Sequence, residues 1–248
     1  MIDASSKRPV LMGVVNITPD SFHAPSRVQG EGQLRARISS LLSRGCSIID
    51  FGAVSTRPGA EDVSAEEEWR RLESVLRPLA KEGVKGFTIS VDTFRSEIVR
   101  KTFDLAGPFI VNDISAGEDD SDMLGTVARL HLKYIAMHKR GNPRTMDALA
   151  QYPRGVTCEV LDYFEDFSAK ASEAGVTDWI ADPGFGFAKT ARQNWELLEN
   201  LSSFRRFGKP VLAGLADKRF TKDSRFNGGD PSFAERLASL SADILRIH

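Results

Sequence analysis

Polar side chains that could bind or activate a ligand follow the apolar, strand-like segments of this sequence, at the points where those segments end. The set combines two carboxylates, two amides and several cations. In chain order it comprises Asn16, Thr56 with Arg57, Asp92, Asn112, His138, Asp182, Lys218, and Arg246 with His248. Carboxylates and amides around a closed pocket suit a flat heterocycle that carries N–H donors and ring acceptors. The cations suit phosphate oxygens.

The first of these strand ends shows the pattern most clearly. Residues 10–15 form a short apolar run, which is typical of a buried parallel strand. The run stops at Asn16, and residues 18–21 are rich in turn formers. A core strand followed by an ordinary turn would explain this stretch alone equally well. Because the same pattern recurs along the chain, the functional interpretation is favoured.

Strand and helix patterns alternate along the whole chain. The predicted strands are residues 10–15, 47–52, 87–92, 109–113, 133–138, 178–182, 210–214 and 244–248, and the predicted helices are 31–44, 64–82, 95–106, 121–130, 156–174 and 191–206. Ser64 stands three positions before Glu67, which is the spacing of a capping box. Residues 221–240, in the seventh crossover, show no evident helix.

This alternation predicts an α/β protein, a closed (β/α)8 barrel that forms one domain over residues 1–248. A doubly wound open sheet is the competing architecture. In a barrel the carboxyl ends of all strands converge on one mouth, which is where the polar residues would meet. Arg246 and His248 are two positions apart and therefore share one face of a strand.

Composition and charge exclude several classes of protein. The chain has 248 residues, about the size of one such barrel, with 41% hydrophobic and 27% charged residues. Its 33 basic and 34 acidic residues nearly cancel, so we expect neither nucleic acid nor a membrane surface as a partner. No signal-peptide core or membrane-length apolar run is present. Cys46 and Cys158 lie far apart and suit a reducing compartment, which predicts a cytoplasmic protein.

Seven short motifs, each at a strand end and in the same order, resemble those of the dihydropteroate synthases. They are residues 16–22 (NITPDSF), 55–60 (STRPGA), 90–93 (SVDT), 111–115 (VNDIS), Met137-His138 with Gly141, Pro143 and Met146, 182–187 (DPGFGF) with Lys189-Thr190, and 246–248 (RIH). The resemblance runs through nearly the whole chain. It implies a (β/α)8 TIM barrel that joins a pterin pyrophosphate to 4-aminobenzoate in folate biosynthesis, with magnesium as cofactor and a homodimer as the assembly.

The resemblance also implies a role for each matching residue. Asn16 would help to hold the magnesium ion, while Asp92, Asn112 and Asp182 would hydrogen-bond the pterin and Lys218 would reach its oxygen and a ring nitrogen. The remaining implied substrate contacts are Met137, Phe187, Gly214, Thr56, Arg57, Pro58, Arg246 and His248, with Asp20 and Phe22 as loop contacts; the implied catalytic set is Asp92, Lys218, Arg57 and Thr56. For some of these residues a purely structural explanation competes with the implied role. It is turn formation for Asn16 and Asp182, a helix cap for Asp92, and core packing for Met137 and Phe187.

The last quarter of the chain departs from the family's pattern. Residues 216–219 read Ala-Asp-Lys-Arg where the family has Ser-Arg-Lys-Ser, so only Lys218 is retained. Arg219 could pair with the carboxylate of the arylamine or fill its pocket. The amino-terminal hairpin before the first strand is short or absent, and the family's final helix, after the eighth strand, is expected to be missing. These departures predict retained pterin binding with low turnover.

Two other functions therefore compete with the synthase. One is a pterin-binding barrel with different chemistry, such as the folate-binding module of methyltransferases. The other is a catalytically weakened homologue that binds a pterin or a protein partner. Thr56-Arg57 and Arg246-His248 favour the synthase, because a folate-binding module of the methyltransferase kind needs no site for pyrophosphate.

Overall fold

The computed structural model describes residues 8–17, 27–54, 63–141, 145–146, 148–216 and 218–248. Eight parallel strands are present in these ranges, as predicted. They are β1 Val10–Asn16, β2 Cys46–Gly52, β3 Thr88–Asp92, β4 Ile110–Asp113, β5 Lys133–Met137, β6 Trp179–Asp182, β7 Leu212–Gly214 and β8 Ile244–Ile247.

The strands form a nearly closed barrel. Their order in the sheet is β6-β5-β4-β3-β2-β1-β8-β7, so consecutive strands are neighbours and β8 returns to β1. A parallel bridge between Ala181 and Val211 joins the two edge strands, and the N–H of Ala181 donates to the carbonyl of Pro210 at 2.9 Å. The closed barrel is therefore confirmed over the open sheet.

Seven α-helices surround the barrel in the described part of the chain. They are α1 Arg27–Ser43, α2 Ala65–Glu82, α3 Ser96–Ala106, α4 Met123–Arg129, α5 Val156–Ala174, α6 Ala191–Glu199 and α7 Pro231–Ser239, with 3-10 turns at Leu201–Phe207, Arg219–Lys222 and Asn227–Gly229. Ser64 caps α2 by accepting from the N–H of Glu67, whereas the Glu67 carboxylate pairs with Arg70 and Arg71 instead of closing the capping box.

Two sequence predictions about helices were wrong. We predicted no helix in residues 221–240, but α7 lies in this range. Asp230 caps α7, and Pro231 is its first residue. The positions that α7 buries are the alanines Ala234 and Ala238, so its apolar periodicity is weak. The single helix predicted over 191–206 is broken at Asn200, whose side-chain amide bonds to the carbonyl of Glu196 at 2.7 Å, and continues as a 3-10 turn.

The interior of the barrel is divided into an apolar floor and a polar upper part. The floor is formed by Met12, Ile48, Ile110, Ile135, Ile180, Leu212 and Ile244, one residue from each of seven strands. Two residues further along β2, β4, β6, β7 and β8 the inward positions are Asp50, Asn112, Asp182, Gly214 and Arg246. Every one of these is closer to the carboxyl end of its strand, so the polar part faces the predicted mouth. No helix in the described part of the chain is both long and apolar enough to cross a membrane.

Candidate active site at the carboxyl ends of the strands

A hydrogen-bonded group of three buried side chains lies directly above the apolar floor. Ser90 Oγ donates to Asp50 Oδ1 at 2.7 Å, and Asn112 Nδ2 donates to Asp50 Oδ2 at 2.9 Å. All three residues are at most 2% exposed. Burial raises the pKa of Asp50, while the charge of Arg246 and the two hydrogen bonds oppose that shift.

Asp92 lies beside this group at the end of β3 and is only partly buried. Burial and the charge of Asp50 raise the pKa of Asp92 well above its ordinary value, and Arg246 acts in the opposite direction. Asp92 also approaches Asn16. A Cβ placed on Gly52, which pairs with both residues, would lie 3.5 Å from Asp92 Oδ2 and 3.8 Å from Asn16 Oδ1. The two side chains therefore flank the same glycine at the mouth.

Asp182 on β6 and Arg246 on β8 form an ion pair over β7, the strand between them. Asp182 Oδ1 accepts from the N–H of Gly184 at 2.9 Å, and Asp182 Oδ2 lies 3.3 Å from Arg246 Nη1 without hydrogen-bond geometry. Although burial lowers it, the pKa of Arg246 is raised overall by the charges of Asp182, Asp50 and Asp92. Arg246 is thus a permanent cation surrounded by the carboxylates of the site.

Two buried acceptor atoms have no hydrogen-bond partner among the described residues at this site. They are Asn112 Oδ1 and Asp182 Oδ2. Buried polar atoms are nearly always paired in folded proteins, and leaving one unpaired costs about 1–3 kcal/mol. The site is therefore ready to accept hydrogen bonds from a ligand.

The segment between β6 and α6 is held by its own side chains. Lys189 Nζ donates to the carbonyls of Gly184 and Phe187, at 2.9 and 3.0 Å, and lies 3.0 Å from His138 Nδ1. Burial lowers the pKa of Lys189 to about 7, and burial and the Lys189 charge lower the pKa of His138 well below its ordinary value. Asn194 Oδ1 accepts from the N–H of Gly186 at 2.7 Å. These bonds fix the backbone that carries Asp182 and Phe187.

The side chain of Lys218 lies over the ring of Phe187. Lys218 Nζ lies 4.6 Å from the centroid of the Phe187 ring. Burial, with a contribution from Arg246, lowers the pKa of Lys218 to about 8. Gly214 leaves room for the arginine, since a Cβ at that position would lie 2.8 Å from Arg246 Nη2.

Two arginines hold the chain on either side of residues 55–62. Arg71 Nη1 donates to the carbonyl of Ala53 at 2.9 Å, and Arg95 Nη2 donates to the carbonyl of Val63 at 2.7 Å. Arg71 belongs to α2, and Arg95 is the N-cap residue of α3. The two described ends that flank this segment are thus fixed to the helices next to the mouth.

The structure brings most of the described candidate residues together. Asp92, Asn112, Asp182, Phe187, Gly214, Lys218 and Arg246 form one polar cluster, with Asn16 at its edge. Met137 is fully buried and lies against Gly184. His248 is exposed, and its carbonyl oxygen accepts from Arg44 Nη1 at 2.5 Å. Asp20, Phe22, Thr56, Arg57 and Pro58 lie outside the described residues.

Sequence reasoning missed Asp50 and Ser90 and gave no role to Lys189 or Asn194. Asp50 and Ser90 lie within predicted strands, two positions before their ends, whereas most of the predicted site residues lie at or beyond the strand ends. The available signal was a carboxylate inside an otherwise apolar strand, which is costly unless polar partners surround it. For Asn194, an interior residue of α6, the sequence offers no comparable signal.

Two cavities lie away from this cluster. One of about 680 Å³ lies beside α5, and charged residues that line it are paired with each other, as in Arg140 with Glu159 at 2.7 Å. The other, of about 750 Å³, opens at the amino ends of the strands, next to Ile48 and Ile244. Neither contains the residues of the polar cluster.

The chain matches the family model described as "Pterin binding enzyme" over residues 12–246. The dihydropteroate synthase of Synechocystis sp. is 36% identical over 252 residues, which cover 98% of this chain and 86% of that protein. The folic acid synthesis protein fol1 of Pneumocystis carinii is 36% identical over 98% of this chain, but the chain spans only 34% of that longer protein.

The chain is also similar to solved structures of dihydropteroate synthases. The dihydropteroate synthase of Xanthomonas albilineans with 4-aminobenzoic acid superposes with a TM-score of 0.83 at 33% identity, covering 98% of this chain and 88% of that one. The complex of the Xanthomonas albilineans enzyme with 7,8-dihydropteroate gives a TM-score of 0.79 at 31% identity, with coverages of 98% and 89%.

Proposed function

This chain belongs to the dihydropteroate synthase family of pterin-binding enzymes, and we propose that it is a transferase of folate biosynthesis that condenses 6-hydroxymethyl-7,8-dihydropterin pyrophosphate with 4-aminobenzoate. The products would be 7,8-dihydropteroate and pyrophosphate. The proposal concerns the activity of this chain alone, since the longer fungal relative extends well beyond the matched region.

The observation that carries the proposal is the pair of unsatisfied acceptors in the polar cluster. Asn112 Oδ1 and Asp182 Oδ2 are buried without hydrogen-bond partners among the described residues, and Asp92 lies beside them. The aminopyrimidinone edge of a pterin offers several N–H donors in one plane. A bound pterin would therefore donate hydrogen bonds to two buried acceptors. Among the described residues, Asn112 Oδ1 has no partner and Asp182 Oδ2 has only its ion pair with Arg246.

The cations supply the other half of the reaction. Lys218 and Arg246 lie at the same mouth as the acceptors, where they would attract the pyrophosphate and stabilise its departing charge. Departure leaves a cation delocalised into the pterin ring, which the carboxylate of Asp92 would stabilise. The amine of 4-aminobenzoate then attacks the exocyclic methylene, and its positioning in the site supplies much of the acceleration.

Magnesium belongs to the proposal as a partner of the pyrophosphate. No group of three or more His, Cys, Asp or Glu side chains comes together as a metal site within the ranges that the structure describes. Asn16 at the mouth would therefore supply a single oxygen, and the substrate phosphates and water would supply the others, an arrangement that suits magnesium. When bound, the ion would neutralise charge on the leaving group.

A cytoplasmic location and a homodimer complete the proposal. A reducing compartment accords with the absence of a disulfide between Cys46 and Cys158, which are both free. The homodimer rests on the family resemblance, and sedimentation of the purified protein would test it.

Measurement of pyrophosphate release from the pterin substrate tests the activity. We expect release with 4-aminobenzoate at the low turnover that the departures in residues 216–219 predict, accompanied by an equal amount of dihydropteroate, and still slower release without it. A protein that binds the pterin but releases pyrophosphate equally slowly in both cases would instead be a pterin-binding homologue with other chemistry. A protein that binds no pterin would refute both functions.

A further inference from the structure

Asn112 carries a buried side-chain amide in the polar cluster, and the orientation of this amide decides which hydrogen bond it offers to a ligand. A side-chain amide has one acceptor, Oδ1, and one donor group, Nδ2, so a rotation by half a turn exchanges them. Asn112 is 1% exposed and stands opposite Asp92 in the register of β3 and β4. Whatever fixes this amide therefore sets the kind of ligand atom that it binds.

Asp50 is placed to fix the orientation of the Asn112 amide. Asp50 Oδ2 accepts from Asn112 Nδ2 at 2.9 Å, while Asp50 Oδ1 accepts from Ser90 Oγ at 2.7 Å. A carboxylate has only acceptors, so it stabilises the orientation in which the NH₂ group of Asn112 points towards it. Oδ1 then points away from Asp50, and it is the atom that has no partner among the described residues.

The surroundings keep Asp50 in the role of an acceptor. Burial raises the pKa of Asp50, but the charge of Arg246 favours the ionised carboxylate, and both hydrogen-bond partners, Ser90 and Asn112, donate to it. Asp50 is 2% exposed, so it makes its contacts inside the barrel and cannot contact solvent as an ordinary surface acid does.

We propose that Asp50 is a positioning residue that holds the Asn112 amide with Oδ1 towards the ligand, and so makes this position selective for a ligand N–H donor. The proposal rests on the proposed function, because the donor that it selects belongs to the pterin. Asp50 itself would not contact the ligand and acts through Asn112.

Ligand preference provides the first test. Calorimetry would compare 6-hydroxymethylpterin with 6-hydroxymethyllumazine, in which an oxo acceptor replaces the 2-amino donor and N1 carries a hydrogen. We expect the wild-type protein to prefer the pterin by about 100-fold, and Asp50→Ala to reduce this preference by about tenfold because Asn112 is then free to rotate. A folded Asp50→Ala protein with the wild-type preference would overturn the proposal.

Asp113→Ala is the matched control. Asp113 is the neighbour of Asn112, is fully buried and accepts from Tyr134 Oη at 2.6 Å, but it points out of the barrel towards the helices. Its loss should lower the melting temperature and leave the preference within about threefold of the wild type, which separates positioning from general destabilisation. A loss of preference in Asp113→Ala equal to that in Asp50→Ala would also overturn the proposal.

Neutron diffraction from deuterium-exchanged wild-type crystals tests the orientation without any variant. We expect two deuterons on the Asn112 nitrogen, one of them directed at Asp50 Oδ2. A deuteron on Asp50 that points at the Asn112 oxygen would refute the assignment. A wild-type protein that binds neither ligand would refute the proposed function instead, and the neutron map would still decide the orientation of Asn112.

Discussion

Replacing Asp182 by asparagine would reverse one hydrogen bond of the site while keeping its shape. Asp182 Oδ1 already accepts from the N–H of Gly184 at 2.9 Å, so the carbonyl oxygen of the new amide should take that place. The new NH₂ group would then occupy the position of Oδ2, 3.3 Å from Arg246 Nη1. A donor would stand where the ligand and the arginine both require an acceptor.

The expected loss in affinity follows from two terms. A hydrogen bond to a charged acceptor contributes about 1.5–3 kcal/mol, and a ligand donor that is buried without a partner costs a further 1–3 kcal/mol or so. Together they amount to roughly 2.5–6 kcal/mol, or about a 10²- to 10⁴-fold weaker binding of the pterin. The fold should be largely retained, since the bond to Gly184 survives and Arg246 keeps its attraction to Asp50 and Asp92.

Calorimetry with 6-hydroxymethylpterin measures this loss, and thermal unfolding of the same samples measures the fold. Asp178→Asn is the matched control, because Asp178 precedes the same strand, has a side chain that is 61% exposed and lies 3.4 Å from Lys133 at the opposite end of the barrel. Its affinity should equal that of the wild type. An Asp182→Asn protein that is folded and binds within threefold of the wild type would show that Oδ2 does not receive the pterin.

Three further predictions concern the anion-binding side of the site. Because the pKa of Lys218 is about 8, the KM for the pterin pyrophosphate should rise as the pH increases through 8 and the ammonium loses its proton, and Lys218→Met should remove that dependence. Gly214→Ala would place a Cβ 2.8 Å from Arg246 Nη2 and displace the guanidinium, so KM should rise about tenfold or more with little change in melting temperature. Chelation of magnesium should weaken binding of the pyrophosphorylated pterin but not of the pterin alone, and no effect on either would exclude Asn16 as a metal ligand.

The barrel was predictable because its strands are buried on both faces. Short apolar runs that end in polar residues identify such strands without knowledge of their partners, and each of the eight was located to within about two residues. The helix α7 was missed for a related reason. It buries Ala234 and Ala238, whose small side chains contribute little to an apolar periodicity, and only Asp230-Pro231 indicated where it begins.

The strand ends also predicted the outer part of the site, including Asp92, Asn112 and Asp182, but not what lies beneath it. Strands in a barrel are staggered, so a residue in the middle of one strand lies level with the end of another. Asp50 is opposite Ser90 in the register, yet its carboxylate meets the amide of Asn112, which is opposite Asp92. The sequence does not reveal this stagger, so the sequence alone cannot link Asp50 to Asn112, the residue that Asp50 orients.

A carboxylate within an apolar strand, two positions before a polar strand end, is nevertheless a recognisable pattern. Because such a residue points into the barrel and requires buried partners, it indicates a supporting layer beneath the ligand site.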